Sequence, residues 1–175
     1  MIAVKHAEPA DAVAIVRLAE EMDRFYGATE IESSELRVKQ VNEALFGATP
    51  YANAILAWDG GQLIGFASYS FLWPAAGLTR SLYLKELYVA VRARRKGAGK
   101  LLMRHLYEIA LRNDCSRVEW TADEGNAEAR RFYAELGVPV NEFKLFYRAE
   151  ADGLRNQMVP DSEEENGHAG EADLP

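Results

Sequence analysis

The sequence predicts an α/β (α+β) domain built around a mixed, mostly antiparallel sheet flanked by helices. Three observations carry that prediction. Asp59-Gly60-Gly61 separates two β-rich runs, "NAILAW" and "QLIGFASYSFLW", and supplies residues that tolerate positive φ, as a hairpin turn requires. Apolar residues recur at helical spacing on both sides of that hairpin, and the later part of the chain alternates strand and helix patterns. The chain has 175 residues, 49% hydrophobic and 27% charged, which suits one domain with a sizeable core. We assign that domain to residues 1–158 and an acidic, disordered tail to 159–175.

In chain order, "IAVKHA" reads as a first strand and "PADAVAIVRLAEEMDRFYG" as a helix with Pro9 near its start. Ala12, Ile15, Val16, Leu18 and Ala19 form its apolar stripe, Gly27 stops it, and Glu20, Glu21 and Asp23 read as an exposed helix end or a cation-binding rim. "SSELRVKQVNEALFG" is a second helix, capped by Ser33 or Ser34 and terminated by Gly47. After the hairpin comes a long strand, "SLYLKELYVAV", and then a helix from about Gly99 to Asn113. "SRVEWTAD" is a further strand, "NAEARRFYAELG" a helix ending at Gly137, and "EFKLFYRA" a final strand.

Composition excludes several functions. There is no apolar run of eighteen residues and no apolar signal-peptide core in "MIAVKHAEPADA", so a cytoplasmic protein without membrane attachment is expected. Cys115 is the only cysteine and the three histidines show no ligand-type spacing, so no metal site is expected. The net charge of −7 is concentrated in 159–175, which holds six acids and no Lys or Arg and leaves 21 acids against 20 bases elsewhere. A near-neutral folded part speaks against nucleic acid as a partner.

The most informative stretch is "RARRKGAGK" at 92–100, between a strand and a helix. Glycines allow close approach, unsatisfied N–H groups of a first helical turn carry partial positive charge, and Arg94, Arg95, Lys96 and Lys100 add cations around them. A diphosphate suits such a pocket. The stretch lacks G-x-x-x-x-G-K-[ST], and Leu102 stands where G-x-G-x-x-G would need its third glycine, so two familiar nucleotide loops do not apply.

What it does match is R-x-x-G-x-G, over Arg94 to Gly99 and preceded by "LYV" at 87–89. With "LIGFASY" and the later N-x-x-A-x-x-F-Y-x-x-L-G of "NAEARRFYAELG", the chain over about residues 2–155 resembles the GNAT superfamily of acyl-CoA-dependent N-acetyltransferases. "SLYLKELYV" with "RVEWTADEGNAEARRFY" looks most like the diamine and polyamine N-acetyltransferase branch. The resemblance implies that the fourth and fifth strands splay to admit the coenzyme, with acetyl-CoA as co-substrate. It places Leu87, Tyr88 and Val89 along the pantetheine arm and the N–H of Val89 near the thioester oxygen. Residues Arg94, Arg95, Lys96, Gly97, Ala98, Gly99 and Lys100 fall at the diphosphate, and Asn126 and Tyr133 in the second half of the coenzyme site.

By the same resemblance the reaction is acetyl transfer to a primary amine, direct and in a ternary complex. Such chemistry needs a neutral amine, a stabilised oxyanion and a proton for the departing thiolate. Tyr133 is the candidate acid and Glu86 the candidate base or amine-binding group, with deprotonation through water left open. The diamine branch usually carries two adjacent acids where this chain has Lys85-Glu86, and adjacent strand residues are expected to point to opposite faces. Of the three tryptophans, Trp73 is the candidate wall for the substrate. The expected acceptor is a small, diamine-like or amino compound; a protein N-terminus or lysine, or an inactive coenzyme-binding regulatory module, stays open as an alternative, as does homodimerisation.

Overall fold

Gly60 and Gly61 take φ of 56° and 79°, so two residues with positive φ make the tight turn, and Asp59 and Gln62 pair across it. This hairpin joins β2 (Asn53–Asp59) to β3 (Gln62–Leu72), the centre of the fold. The structure is a computed structural model that describes residues 1–157, so the expected acidic tail lies outside the described residues. These fall into two compact units, Met1–Leu136 and the stretch from Gly137 onward, described in turn.

In the first unit a five-stranded sheet runs β1 (Ala3–His6), β2, β3, β4 (Arg80–Val89), β5 (Cys115–Glu119) in spatial order. The first three pairings are antiparallel and β4–β5 is parallel. The helices are α1 (Ala12–Phe25), α2 (Ser34–Phe46), α3 (Ala98–Arg112) and α4 (Ala127–Glu135). In β3 the consecutive residues Leu63, Ile64, Gly65, Phe66 and Ala67 are all buried, which requires cover on both faces of the sheet. One core results, in which Leu56, Leu82, Leu102, Met103 and Leu106 are wholly enclosed. Among the described residues no helix is long and apolar enough to cross a membrane.

Local chemistry explains the helix limits. A 3-10 turn at Pro9–Asp11 leads into α1, with Glu8 and Asp11 forming a reciprocal capping box. Gly27, at φ 92°, follows its C-terminal end. Ser33 Oγ accepts the Leu36 N–H (3.3 Å) to cap α2. Arg37 of α2 pairs with Asp23 of α1 at 2.6 Å, which ties the two helices together.

Strand β4 is irregular at one point. Leu84 pairs with Tyr69 and Glu86 with Ser68, so Lys85 is an extra residue, a β-bulge. Without it Glu86 would share the face of Leu82 and Leu84; with it Glu86 joins the face of Tyr88, toward α1. The simple alternation expected between Lys85 and Glu86 therefore does not hold there.

In the second unit the expected strand "EFKLFYRA" is not formed. The Asn141 side chain accepts the Phe143 N–H (3.1 Å), a local turn that competes with extension, and 142–149 make no ladder among the described residues. A short helix, α5 (Ala151–Gln157), follows. Gly153 inside it, unfavourable by about 1 kcal/mol relative to Ala, masks its helical pattern in the sequence.

Candidate active site

The parallel ladder between β4 and β5 begins at Arg80↔Cys115 and ends at Tyr83↔Glu119. Strand β4 continues to Val89 paired, among the described residues, with β3 alone, through Phe66↔Tyr88 and Gly65↔Val89. One edge of β4 is therefore open from Leu84 onward, the divergence expected between the fourth and fifth strands. A groove of about 530 Å³ begins along that edge. Leu87, Tyr88 and Val89 form its strand wall, Arg94, Arg95, Gly97, Ala98, Gly99 and Lys100 its basic end, and Asn126 and Tyr133 its far wall. Of the coenzyme residues anticipated from the sequence, Lys96 does not line the groove.

The two loop glycines answer to different constraints. Gly97 sits at φ 88° as the N-cap of α3, and a Cβ there would meet nothing within 4 Å, so its requirement is conformational. A Cβ on Gly99 would lie 3.2 Å from the Phe132 ring, so Gly99 is required by the packing of α3 against α4. Arg95 also adopts positive φ, at 63°, which costs about 1 kcal/mol or more in a non-glycine residue. The start of α3 borders the groove, and its first-turn N–H groups have no intrahelical acceptor.

Acids of α4 hold part of the loop's charge. Arg94 pairs with Glu128 at 2.8 Å, donates from Nε to the Val89 carbonyl (3.2 Å) and stacks 4.2 Å over the Phe25 ring. Lys100 pairs with Glu135 at 3.3 Å. Arg95 and Lys96 are exposed and carry no ion pair among the described residues.

Asn126 caps α4, its Oδ1 accepting the Ala129 N–H (3.0 Å). Seven residues on, Tyr133 packs against Trp120 and Phe132 with ring centroids 5.1 and 5.2 Å away. Burial, followed by the nearby Glu86 carboxylate, pushes the Tyr133 hydroxyl up to about 12. Glu86 itself is raised above the usual carboxylate range, chiefly by burial. Asp23 and Asp123 raise it further, whereas a backbone bond from Leu87 and the Lys85 ammonium oppose the shift. Trp73 lies elsewhere, exposed in the β3–β4 connection with its indole N–H on the Leu78 carbonyl (3.0 Å), and does not line the groove.

The lining residues not anticipated from the sequence include Phe25, Tyr26 and Glu128. The first two were legible as adjacent aromatics at a helix end, only one of which an apolar stripe can use. The Tyr26 hydroxyl is raised by burial and then by the charge of Glu86. Glu128 carried no local signal, because its partner Arg94 is 34 residues away. Among the described residues no group of three or more His, Cys, Asp or Glu is arranged to hold a metal ion.

Comparison with known proteins agrees with this geometry. The sequence model described as "Acetyltransferase (GNAT) family" matches residues 15–138. Thialysine N-epsilon-acetyltransferase of Mus musculus is 26% identical over 167 residues, covering 87% of this chain and 94% of that protein. Among solved structures, an integron cassette protein from the mobile metagenome of V. cholerae superposes with a TM-score of 0.80 at 30% identity, over 89% of this chain and 96% of that one. An aminoglycoside N-acetyltransferase solved in complex with CoA shares the fold, with a TM-score of 0.70 at 16% identity over 86% of this chain and 95% of that one.

Proposed function

The chain belongs to the acetyltransferase (GNAT) family, and from that premise we propose that it moves an acetyl group from acetyl-CoA to the primary amine of a small diamine-like or amino compound, directly and with both substrates bound. The observation that carries this reading is the parallel ladder that stops at Tyr83↔Glu119 and opens β4 onto a basic loop and a helix start. The residues fit the coenzyme. Gly97 gives the loop its left-handed turn, first-turn N–H groups of α3 with Arg95 and Lys100 suit a diphosphate, and the open edge of β4 at Leu87 to Val89 offers hydrogen-bonding backbone to an amide-containing arm.

Acetyl-CoA, when bound, supplies an activated thioester. The chain supplies the rest. The N–H of Val89 is assigned to the acyl oxygen, where a fixed donor stabilises developing charge. Glu86, with its raised proton affinity, takes a proton from the ammonium of the acceptor, directly or through water. The Tyr133 hydroxyl stays protonated throughout the working pH range and donates toward sulfur. Among the described residues no Cys or Ser lines the groove, which favours direct transfer over an acylated enzyme. Asp23 and Asp123, acting on Glu86, give the acceptor end a negative field suited to a cationic amine. The likeness to a thialysine acetyltransferase supports the same class.

Mass spectrometry of the purified protein for bound CoA, followed by thiol release with a panel of amines, tests the reading. Turnover with small primary amines is expected. Turnover on peptides alone overturns the acceptor class, and tight CoA binding with no turnover on any amine makes the protein a coenzyme-binding module.

A further inference from the structure

We propose that Glu21 is a positioning residue for the transfer: from α1 it fixes the end of β4, and so holds the backbone at the acyl site in register with the wall that the end of α1 presents. The proposal rests on the coenzyme reading of the groove. Glu21 Oε1 accepts the Tyr88 hydroxyl (3.2 Å) and the Val91 N–H (3.1 Å), and Oε2 accepts from Arg92 Nη1 (2.8 Å). The donors are 67 to 71 residues away in sequence, so one carboxylate joins a helix to the far end of a strand.

The place of these bonds gives them meaning. Ala90 still donates its N–H to the Ile64 carbonyl of β3 (2.9 Å), whereas the next amide, Val91, finds its acceptor in Glu21. Because β5 has already departed, β3 on one side and Glu21 at the tip hold the segment that contains Leu87 to Val89. The Tyr88 side chain is 2% exposed and sits between Phe66 and Phe25, with ring centroids 6.5 and 6.2 Å away. Phe25 follows Glu21 by one helical turn on the same face of α1, lines the groove and carries Arg94 over its ring. A shift of α1 thus reaches the coenzyme wall through Phe25 and the acyl site through Glu21.

The split of bonds between the two oxygens makes the role testable. Oε1 serves neutral donors and Oε2 the cation, so Glu21→Gln keeps the hold on Tyr88 and Val91 while losing the charge pair. Glu21→Ala loses both. Misplacement by about an ångström costs up to roughly a hundredfold in rate, so Glu21→Ala is expected to lower kcat about 10- to 100-fold. Its CoA Kd by calorimetry should stay within about threefold of wild type, because diphosphate binding falls to the basic loop. Glu21→Gln should keep kcat within about threefold, and Tyr88→Phe should fall between, with the double variant Glu21→Ala/Tyr88→Phe no slower than Glu21→Ala. Amide hydrogen exchange supplies a readout apart from activity: protection of Val91 is expected to be lost in Glu21→Ala and retained in Glu21→Gln.

Glu21→Ala with wild-type kcat overturns the proposal, whatever its melting temperature. So does Glu21→Gln as slow as Glu21→Ala, which would transfer the effect to the Arg92 pair. If Glu21→Ala does not fold, Tyr88→Phe at wild-type rate overturns it equally. Wild-type protein that binds no CoA overturns the coenzyme reading and this proposal together, whereas wild-type binding and turnover with an indifferent Glu21→Ala overturns the positioning role alone.

Discussion

Tyr133→Phe separates a proton donor from a packing residue. The substitution keeps the ring against Trp120 and Phe132, at 5.1 and 5.2 Å, and removes only the hydroxyl, so folding and CoA affinity should be preserved. The size of the kinetic loss follows from the raised proton affinity. With the hydroxyl pushed up to about 12 and an ordinary thiol near 8.5, complete proton transfer to a thiolate runs uphill by roughly 3.5 pH units, about 5 kcal/mol. The hydroxyl therefore contributes mainly as a hydrogen-bond donor to the charge that develops on sulfur. Such bonds to charged groups are worth about 1.5–3 kcal/mol, which corresponds to roughly 10- to 150-fold in kcat. Steady-state kinetics at saturating acetyl-CoA, monitored by thiol release from pH 6 to 10, should show kcat and kcat/KM falling together. Ionisation of Tyr133 should produce no alkaline decline in wild type within that range. A Tyr133→Phe enzyme at wild-type rate across all pH values would refute the role and leave the thiolate to be protonated by water or by the amine.

Four other substitutions test the site. Gly97→Val forces a β-branched residue to φ 88° and should weaken CoA binding strongly, while Arg95→Ala should weaken it only modestly; unchanged calorimetric affinity in a folded Gly97→Val protein would remove the loop from the site. Glu86→Gln should impair amine use and abolish the rise of kcat/KM as Glu86 deprotonates. Because its folded-state proton affinity is raised, the charged form costs stability as pH rises through the folded pKa, so Glu86→Gln should melt higher than wild type at pH 8 and lose that advantage below about pH 4.5, and equal melting at both would contradict the burial argument. Glu128→Gln releases Arg94 from an ion pair whose acid is 62% exposed; such pairs are worth about 0–1 kcal/mol, so CoA should bind up to about fivefold tighter at low salt and with less gain at high salt, whereas weaker binding would show that the pair organises the site.

The features legible in the sequence were those written within a short window. The hairpin glycines, the Ser33 cap and the basic loop each combine residues a few positions apart, and the structure builds them as expected. The carboxylate of Glu21 was read as part of a free helix end because its donors lie 67 residues or more away. Likewise the bulge at Lys85 exists only in the register with β3, which no spacing inside β4 reveals. "EFKLFYRA" had the alternation of a strand, but alternation needs a paired neighbour, and the bond from Phe143 to Asn141 folds the chain locally. Gly97 was legible as essential, and the structure adds a reason that no spacing reveals, a left-handed dihedral angle of 88°.

The extra residue at Lys85 divides one strand into two parities. Up to Leu84 the even-numbered side chains turn toward the core beside α3; beyond it they turn toward α1, and Glu86 and Tyr88 ride on that reversal. Deleting Lys85 would leave these faces as they are, because Leu84 and Glu86 would then be neighbours opposite Tyr69 and Ser68 in a regular ladder. Pairing Lys85 into the ladder without a bulge would instead rotate every later side chain of β4 through half a turn, driving the Glu86 carboxylate into the interior and Leu87 out of it. Conversely, the upstream half can keep its pairing with β5 while the side chains at 85 and 86 vary, so the position proposed to address the acceptor can change without repacking the core.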